Sequence, residues 1–215
     1  MSGVTQATFM NQRSFGPPGI GSAYEGGFLA GQISTTANGI ATHNLVIGPL
    51  SSAQNASVKW KNANTATAGA DSVIDGPQNT ADMVADGNST VYPAAHFCND
   101  LTIGGFSDWY MAAKNELEVC YYNLKPTTTS NSTSSGTNTN AVPSRGSNYT
   151  TGDPAQTSAA AFQSGGSEAF TAGIYWSSTE NSATFGSGQY FSTGYQNTPD
   201  KVYSSRVRAV RRVAL

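Results

Sequence analysis

The sequence predicts an α+β fold, and three observations carry that reading. Between Leu101 and Pro126 (LTIGGFSDWYMAAKNELEVCYYNLKP), Ala113, Leu117, Cys120, Tyr121 and Leu124 recur at i, i+4, i+7, i+8 and i+11, the period of one buried helix face. Just upstream, Ala94, Phe97, Cys98 and Leu101 recur at i, i+3, i+4 and i+7 behind Pro93, a residue favoured at the first helical position. Near the C-terminus, Ile174 to Ser178 (IYWSS), Gly188 to Thr193 (GQYFST) and Ser204 to Val213 read as three strands. A chain of 215 residues suits one domain, or one domain plus a short attachment segment, and can bury a sizeable core.

Taken in order, residues 1–22 are Gly/Pro/Ser-rich around Gly16-Pro17-Pro18-Gly19 and read as a linker or attachment arm, with residues 23–215 as the domain. Phe28 to Ser34 and Asn44 to Leu50 flank a turn at Ala37-Asn38-Gly39 and predict a hairpin, Asn-Gly being a strong turn signal. Ser57 to Lys61 predicts a strand with Val58 and Trp60 on one face and Lys59 and Lys61 on the other. Residues 62–92 are loop-like, with a turn at Asp75-Gly76-Pro77 and a short helix over about Thr80 to Ala85. The helix that begins at Pro93 should pack against the one that ends before Pro126.

That second helix carries the densest apolar pattern, and the rest of the chain is expected to be organised around it. Gly104-Gly105 breaks the chain ahead of it, and Lys114, Asn115, Glu118 and Asn123 fall mostly on its polar side. At its start, Trp109 can plug the core and the Asp108 carboxylate can accept from exposed helix N–H groups. Residues 127–152 (TTTSNSTSSGTNTNAVPSRGSNYTTG) carry too few apolar groups to build a core, and polar loops of this length are commonly functional or mobile. Asp153-Pro154-Ala155-Gln156 then supplies an N-cap, a Pro at N1 and a Gln at N3, predicting a third helix that runs to about Phe162 and ends at Gly165-Gly166. Two loops, Asn181 to Ser187 and Gly194 to Tyr203, separate the C-terminal strands. There is no internal repeat.

Charged residues make up only 11% of the chain and the net charge is −2, which argues against a nucleic-acid surface. Its polar surface must be built mostly from hydroxyl and amide groups. The N-terminal residues contain no apolar run of signal-peptide length, and nothing resembles a membrane span, so a chain that stays in the cytoplasm or leaves in an assembled particle is expected. The N-x-S/T sequons at Asn55, Asn88, Asn131 and Asn148 are what chance gives in so Ser/Thr/Asn-rich a chain. Cys98 and Cys120 each lie on a predicted apolar helix face, either as buried thiols or as a disulfide between packed helices. With His43 and His96 distant from them, they make no zinc spacing.

Three motifs occur in a telling order: GGFSDWYMAAKNEL (Gly104 to Leu117), YWSSTE (Tyr175 to Glu180) and RVRAVRRV (Arg206 to Val213). Together they resemble a bacterial and phage family with a C-type lectin-like fold, which includes tail-fibre tip domains and the variable proteins of diversity-generating retroelements. GGFLAG (Gly26 to Gly31), Trp60, Ile74-Asp75-Gly76 and AAHFC (Ala94 to Cys98) resemble the family's N-terminal half, so the likeness covers about Tyr24 to Val213. One departure is Met111-Ala112-Ala113, where the family usually has a Pro. The resemblance implies two main helices packed on a twisted antiparallel sheet, long irregular loops, and a rigid scaffold displaying a C-terminal face that binds a ligand. It places the variable interval between YWSS and VRAVR, here Asn181 to Ser205. Tyr195 and Tyr203 offer broad amphipathic contact, and the surrounding Asn, Ser, Gln and Gly offer adaptable hydrogen bonding.

Enzyme chemistry is not expected. The reactive cysteine pair of the fold's formylglycine-generating relatives is missing, and His96 within a predicted helix reads as structural. Asp108, Glu116 and Glu180 are expected to pair with Arg206, Arg208 and Arg211. A calcium site would need clustered carboxylates and amides, and the loops hold Asp200 and Glu180 without the Glu-Pro-Asn, Gln-Pro-Asp or Trp-Asn-Asp triplets; no metal or other cofactor is expected. The leading expectation is a virion adhesin, the receptor-binding tip of a phage tail fibre, that recognises a host cell-surface glycan or protein. The expected contacts are Asn181, Phe185, Gln189, Tyr195, Asn197, Asp200 and Tyr203. The arm would join other virion proteins, and by family analogy the chain would be a homotrimer, without nucleic-acid binding or membrane insertion. Alternatives are a structural capsid or tail decoration protein and a bacterial surface binding protein.

Overall fold

In a computed structural model that describes residues 16–215, the chain is α+β, with a large, mostly antiparallel sheet and four α-helices among the described residues. The strands are β1 (Ala23–Tyr24), β2 (Gly27–Ile33), β3 (His43–Ile47), β4 (Gln54–Lys59), β5 (Tyr110–Met111), β6 (Ala141–Val142), β7 (Ile174–Glu180), β8 (Gly186–Tyr190), β9 (Gln196–Asn197) and β10 (Ser204–Ala214). The helices are α1 (Leu50–Ala53), α2 (Gly76–Asp86), α3 (Pro93–Asn99) and α4 (Lys114–Leu124). The sheet runs β1-β2-β3-β10-β7-β8-β9, with β4 and β5 also paired to β10 and β6 to β2. Among the described residues, only the β10–β7 pairing is parallel. Residues 1–15 of the expected arm lie outside the described residues; at its far end, the Gly21 N–H donates to the Leu29 carbonyl at 2.8 Å.

The organising element is β10, not the α4 stretch. β10 pairs with β3, β4, β5 and β7, and its alternating side chains serve two separate cores. Val207 and Ala209 enter the core built from Trp60, Met83, Tyr92, Cys98, Trp109, Met111 and Trp176. Val210 enters the other, with Leu45, Leu117, Cys120, Tyr121, Tyr175 and Phe191. Strand β5 divides in the same way, Tyr110 into one core and Met111 into the other. This corrects the expected α3–α4 packing: α3 packs on α2, β5 and β4, whereas α4 packs on β2. The two cysteines therefore sit buried and free in different cores, and burial pushes both thiols upward.

Two buried tryptophans stitch the second core across the sheet. The Trp60 Nε1–H donates to the Ser177 carbonyl at 2.8 Å and the Trp176 Nε1–H to the Val58 carbonyl at 2.9 Å. Val58 and Trp60 face inward as the alternation predicts. Lys61 is buried too, against expectation, because its ammonium donates to the Ala66 carbonyl (2.9 Å) and Thr67 Oγ1 (3.2 Å).

The β2–β3 hairpin forms as predicted. Helix α2 is longer than predicted, because the Asp75-Gly76-Pro77 turn is its N-terminus: Asp75 caps the Gln78 N–H and Pro77 occupies the first turn. Gly76 is required there, since a Cβ would lie 2.3 Å from Glu116 Oε2. The helix predicted from Asp153 does not form; only a 3₁₀ turn, Ala160–Phe162, appears. The Pro154 carbonyl that would start it instead accepts from Lys125 Nζ (3.1 Å) and Asn131 Nδ2 (2.9 Å), and the Gln156 side chain donates to the Pro126 carbonyl at 2.7 Å.

Ion pairs, several of them buried, brace α4 and β10. Asp108 forms a two-pronged bond with Arg211 (2.7 and 2.9 Å) as expected, rather than serving a helix N-terminus. Glu116 performs that second task, accepting from the Ala113 N–H at 2.8 Å, and its partner is Arg212 at 2.7 Å. Arg208 pairs with Glu168 at 2.6 Å, and Glu180 with Lys201 rather than an arginine. Glu118, predicted on the polar face, is fully buried and accepts from Tyr149 Oη (2.7 Å), Asn138 and Arg145. Those three partners come from the 127–152 segment, which is packed into the molecule with Asn131, Ser135, Asn138, Asn140 and Tyr149 buried. The segment, expected to carry too few apolar groups to build a core, contributes Ala141 and Tyr149 to one. No helix among the described residues is long and apolar enough to cross a membrane.

Candidate functional site

The β8–β9 hairpin carries most of the expected contact residues, and its register sorts them. Gly188 faces Asn197 and Gln189 faces Gln196. The same register continues to Tyr190 and Tyr195 at the tip, where the Tyr190 N–H donates to the Tyr195 carbonyl at 2.9 Å, and to a bridge between Phe185 and Asp200 at the base. Cross-strand partners share a face and successive residues alternate, so Tyr190, Tyr195 and Asn197 lie on one face and Phe185, Gln189 and Asp200 on the other.

Aromatic packing fixes the tip. Phe191 is buried and stacks on Phe170 at 4.0 Å between ring centroids. Gly194, at φ +71°, lies so close to Tyr121 that a Cβ would sit 2.3 Å from its ring. The 127–135 segment is then clamped against the tip: the Ser132 N–H donates to the Thr193 carbonyl (2.8 Å), and the Gln196 N–H to Ser135 Oγ (3.0 Å). Beneath them Asn131 accepts from Tyr121 Oη at 2.6 Å.

Between these pieces lies an open groove of about 550 Å³, lined by Ser130, Asn131, Ser132, Tyr190, Thr193, Tyr195 and Asn197. The Tyr190 and Tyr195 rings stack side by side, 6.3 Å apart and 29° from parallel. No lining residue is an acid, lysine, arginine or histidine. Such a surface can stack against an apolar or amphipathic ligand face and exchange neutral hydrogen bonds with its rim.

Of the seven expected contacts, Tyr195 and Asn197 line this groove. Gln189 does not belong to any contact surface: it is buried, with Nε2 donating to Tyr149 Oη (3.2 Å) and the Gly194 carbonyl (3.1 Å). Asn181, Phe185, Asp200 and Tyr203 gather around the opposite end. Phe185 and Tyr190 are five residues apart on the strand, about 17 Å. There Asp200 accepts from Asn64 Nδ2 at 3.1 Å, and Tyr203 is 65% exposed. Tyr190, Ser130, Ser132 and Thr193 were not anticipated. The available signal for Tyr190 was its spacing from Tyr195 in YFSTGY, which suits two aromatic residues facing each other across a four-residue tip.

The two histidines are engaged in hydrogen bonds. His96 Nε2 bonds to the Gly87 carbonyl at 2.8 Å, and His43 Nδ1 to Thr42 Oγ1 at 2.9 Å. Burial lowers the His43 pKa, with Arg212 adding to the effect. Among the described residues, no three His, Cys, Asp or Glu side chains come together as metal ligands. No family model matches the chain, and no curated protein matches it in sequence.

Proposed function

We propose that this chain is the ligand-recognition domain of a virion adhesin, the receptor-binding tip of a phage tail fibre, with a C-type lectin-like fold. The observation that carries the reading is the tip groove: a pair of stacked tyrosines, Tyr195 exposed and Tyr190 half-buried, ringed by neutral hydroxyl and amide groups and held by a heavily cross-braced scaffold. Tyrosine supplies large contact area with few rotatable bonds, and the bracing removes loop-ordering costs on binding. The motif resemblance supports the same reading, as does the strand order that sets C-terminal β10 beside β3.

The test is binding of the purified full chain to candidate host cells, with and without chelator, beside a Tyr190→Ala/Tyr195→Ala variant. The wild type should bind equally with chelator present. The variant should keep its fold by circular dichroism and lose at least about tenfold in affinity, or ~1.4 kcal/mol. A folded variant that binds as well as the wild type would remove the groove from the function. Docking of the chain onto capsids without cell binding would favour a decoration protein.

A further inference from the structure

At the base of the hairpin, three loops meet over one buried side chain. Lys201 has no solvent exposure. Its ammonium donates to the Thr65 carbonyl (3.0 Å), the Ala183 carbonyl (3.0 Å) and the Glu180 carboxylate. Three donors meet three acceptors, so the ammonium is fully satisfied. The Trp60 ring covers it at 4.7 Å. The acceptors come from two separate stretches: Thr65 follows β4, while Glu180 ends β7 and Ala183 lies in the turn between β7 and β8. Lys201 itself leads into β10.

Two of the acceptors make further bonds to the segment that follows β4. Glu180 accepts from the Thr67 N–H at 2.9 Å. The Thr65 carbonyl accepts a second bond, from Lys61 Nζ at 3.3 Å. The Lys201 backbone joins in, its N–H donating to the Thr184 carbonyl (3.0 Å) and its carbonyl accepting from the Trp60 N–H (3.2 Å). Burial pulls the Lys201 pKa down while Glu180 opposes the shift. Two carbonyls and a carboxylate converging on one positive centre form the kind of oxygen set with which loops hold a hard cation. A side chain present only to fill space would not need such a set.

We propose that Lys201 is a built-in cation, a tethered ammonium in an oxygen cage that orders the 62–67, 181–185 and 200–203 segments. The surface bearing Asn64, Asn181, Phe185, Asp200 and Tyr203 is thereby preset without any added ion, and the cage emptied of its lysine side chain accepts a small alkylammonium from solution. This role is independent of the tip groove and stands whether or not that groove binds a receptor.

The experiment is hydrogen exchange on the full chain carrying Lys201→Ala, with ethylammonium chloride, or with tetramethylammonium chloride at equal ionic strength. Peptides covering 61–70 and 180–186 should exchange about tenfold faster than in the wild type, while β3 amides keep their protection. Ethylammonium should restore protection; tetramethylammonium, which has no N–H, should not. Lys201→Met, whose side chain fills the cage, should loosen the same segments without rescue. Uniform loss of protection across the domain, no rescue by ethylammonium, or equal rescue by both salts would overturn the proposal. Should Lys201→Ala not fold, Glu180→Gln decides: local loosening of the same peptides supports the cage, and unchanged protection there refutes it.

Discussion

Residues 127–152 and 181–203 are written in nearly the same alphabet of Ser, Thr, Asn, Gly and Tyr, yet they do opposite things. The first turns its polar groups inward. Asn138 donates to the Asn115 carbonyl (2.8 Å) and accepts from the N–H groups of Asn140 (3.0 Å) and Ala141 (3.1 Å), while the Asn140 side chain donates to the Ser34 carbonyl at 2.8 Å. The second anchors itself through Phe191 and Lys201 and leaves Phe185, Tyr195 and Tyr203 exposed. The difference lies in the scaffold opposite each segment. Helix α4 presents a buried carboxylate, Glu118, that needs partners, and the first segment supplies three; the second segment meets apolar floors and one ammonium cage. Amide-rich composition thus indicates plentiful hydrogen bonding and leaves open whether the partner is water or protein.

Mutations can break that contrast. The largest effect should follow Glu118→Ala, which strands the Arg145 charge and leaves the Tyr149 O–H and one Asn138 side-chain N–H without an acceptor: about 3–5 kcal/mol lost in urea unfolding. A loss below ~1 kcal/mol would mean that the inner segment is solvated after all. An intermediate effect concerns pH. Burial raises the Glu118 pKa in the folded chain, against Arg145, Tyr149 and Asn138. The folded state then holds this proton more tightly than the unfolded state, so the associated stability is present below the ordinary carboxylate value of about 4.3 and is lost as pH rises through the folded pKa. The Tm of the wild type minus that of Glu118→Gln should therefore fall as pH rises from 4 toward neutrality; taking the difference cancels His43, whose lowered pKa acts oppositely. A difference that grows with pH would show that Arg145 outweighs burial. The smallest effect belongs to the outer segment: Asn181→Ala should stay within about 0.5 kcal/mol of wild type by the same urea titration.

Much of the fold was legible because periodicity reports burial directly. Leu117, Cys120, Tyr121 and Leu124 are all buried where the helical spacing puts them, and Asn38-Gly39 marks the β2–β3 turn. The misses have local causes. Asp-Gly-Pro suits both a turn and a helix N-cap, and only the packing of Gly76 against Glu116 decides. Asp153-Pro154 is a good helix start on local chemistry, but Lys125 and Asn131 claim its carbonyl from 29 and 23 residues away. Glu118 looks solvent-facing on a helical wheel, and its burial depends on partners 20 to 31 residues downstream. At the candidate site, Gln189 could have been assigned inward, since it shares a strand face with Phe191 two residues on. The groove was not legible, because one wall comes from Ser130 and Ser132, some 60 residues before the tip they flank.

The central place of β10 also has a consequence for synthesis. Every strand it pairs with precedes it in the chain, and the registers span from Tyr175 back to His43. As the chain emerges from a ribosome, β3, β4 and β5 wait with open edges until Ser204–Ala214 arrives to join them. Pairings that distant close late and slowly, since the loop-closure entropy must be overcome first. Pairing of this strand joins both cores. A nascent chain stalled before Ser204 would carry the groove-bearing hairpin and the tryptophans of the second core without the strand that binds them together.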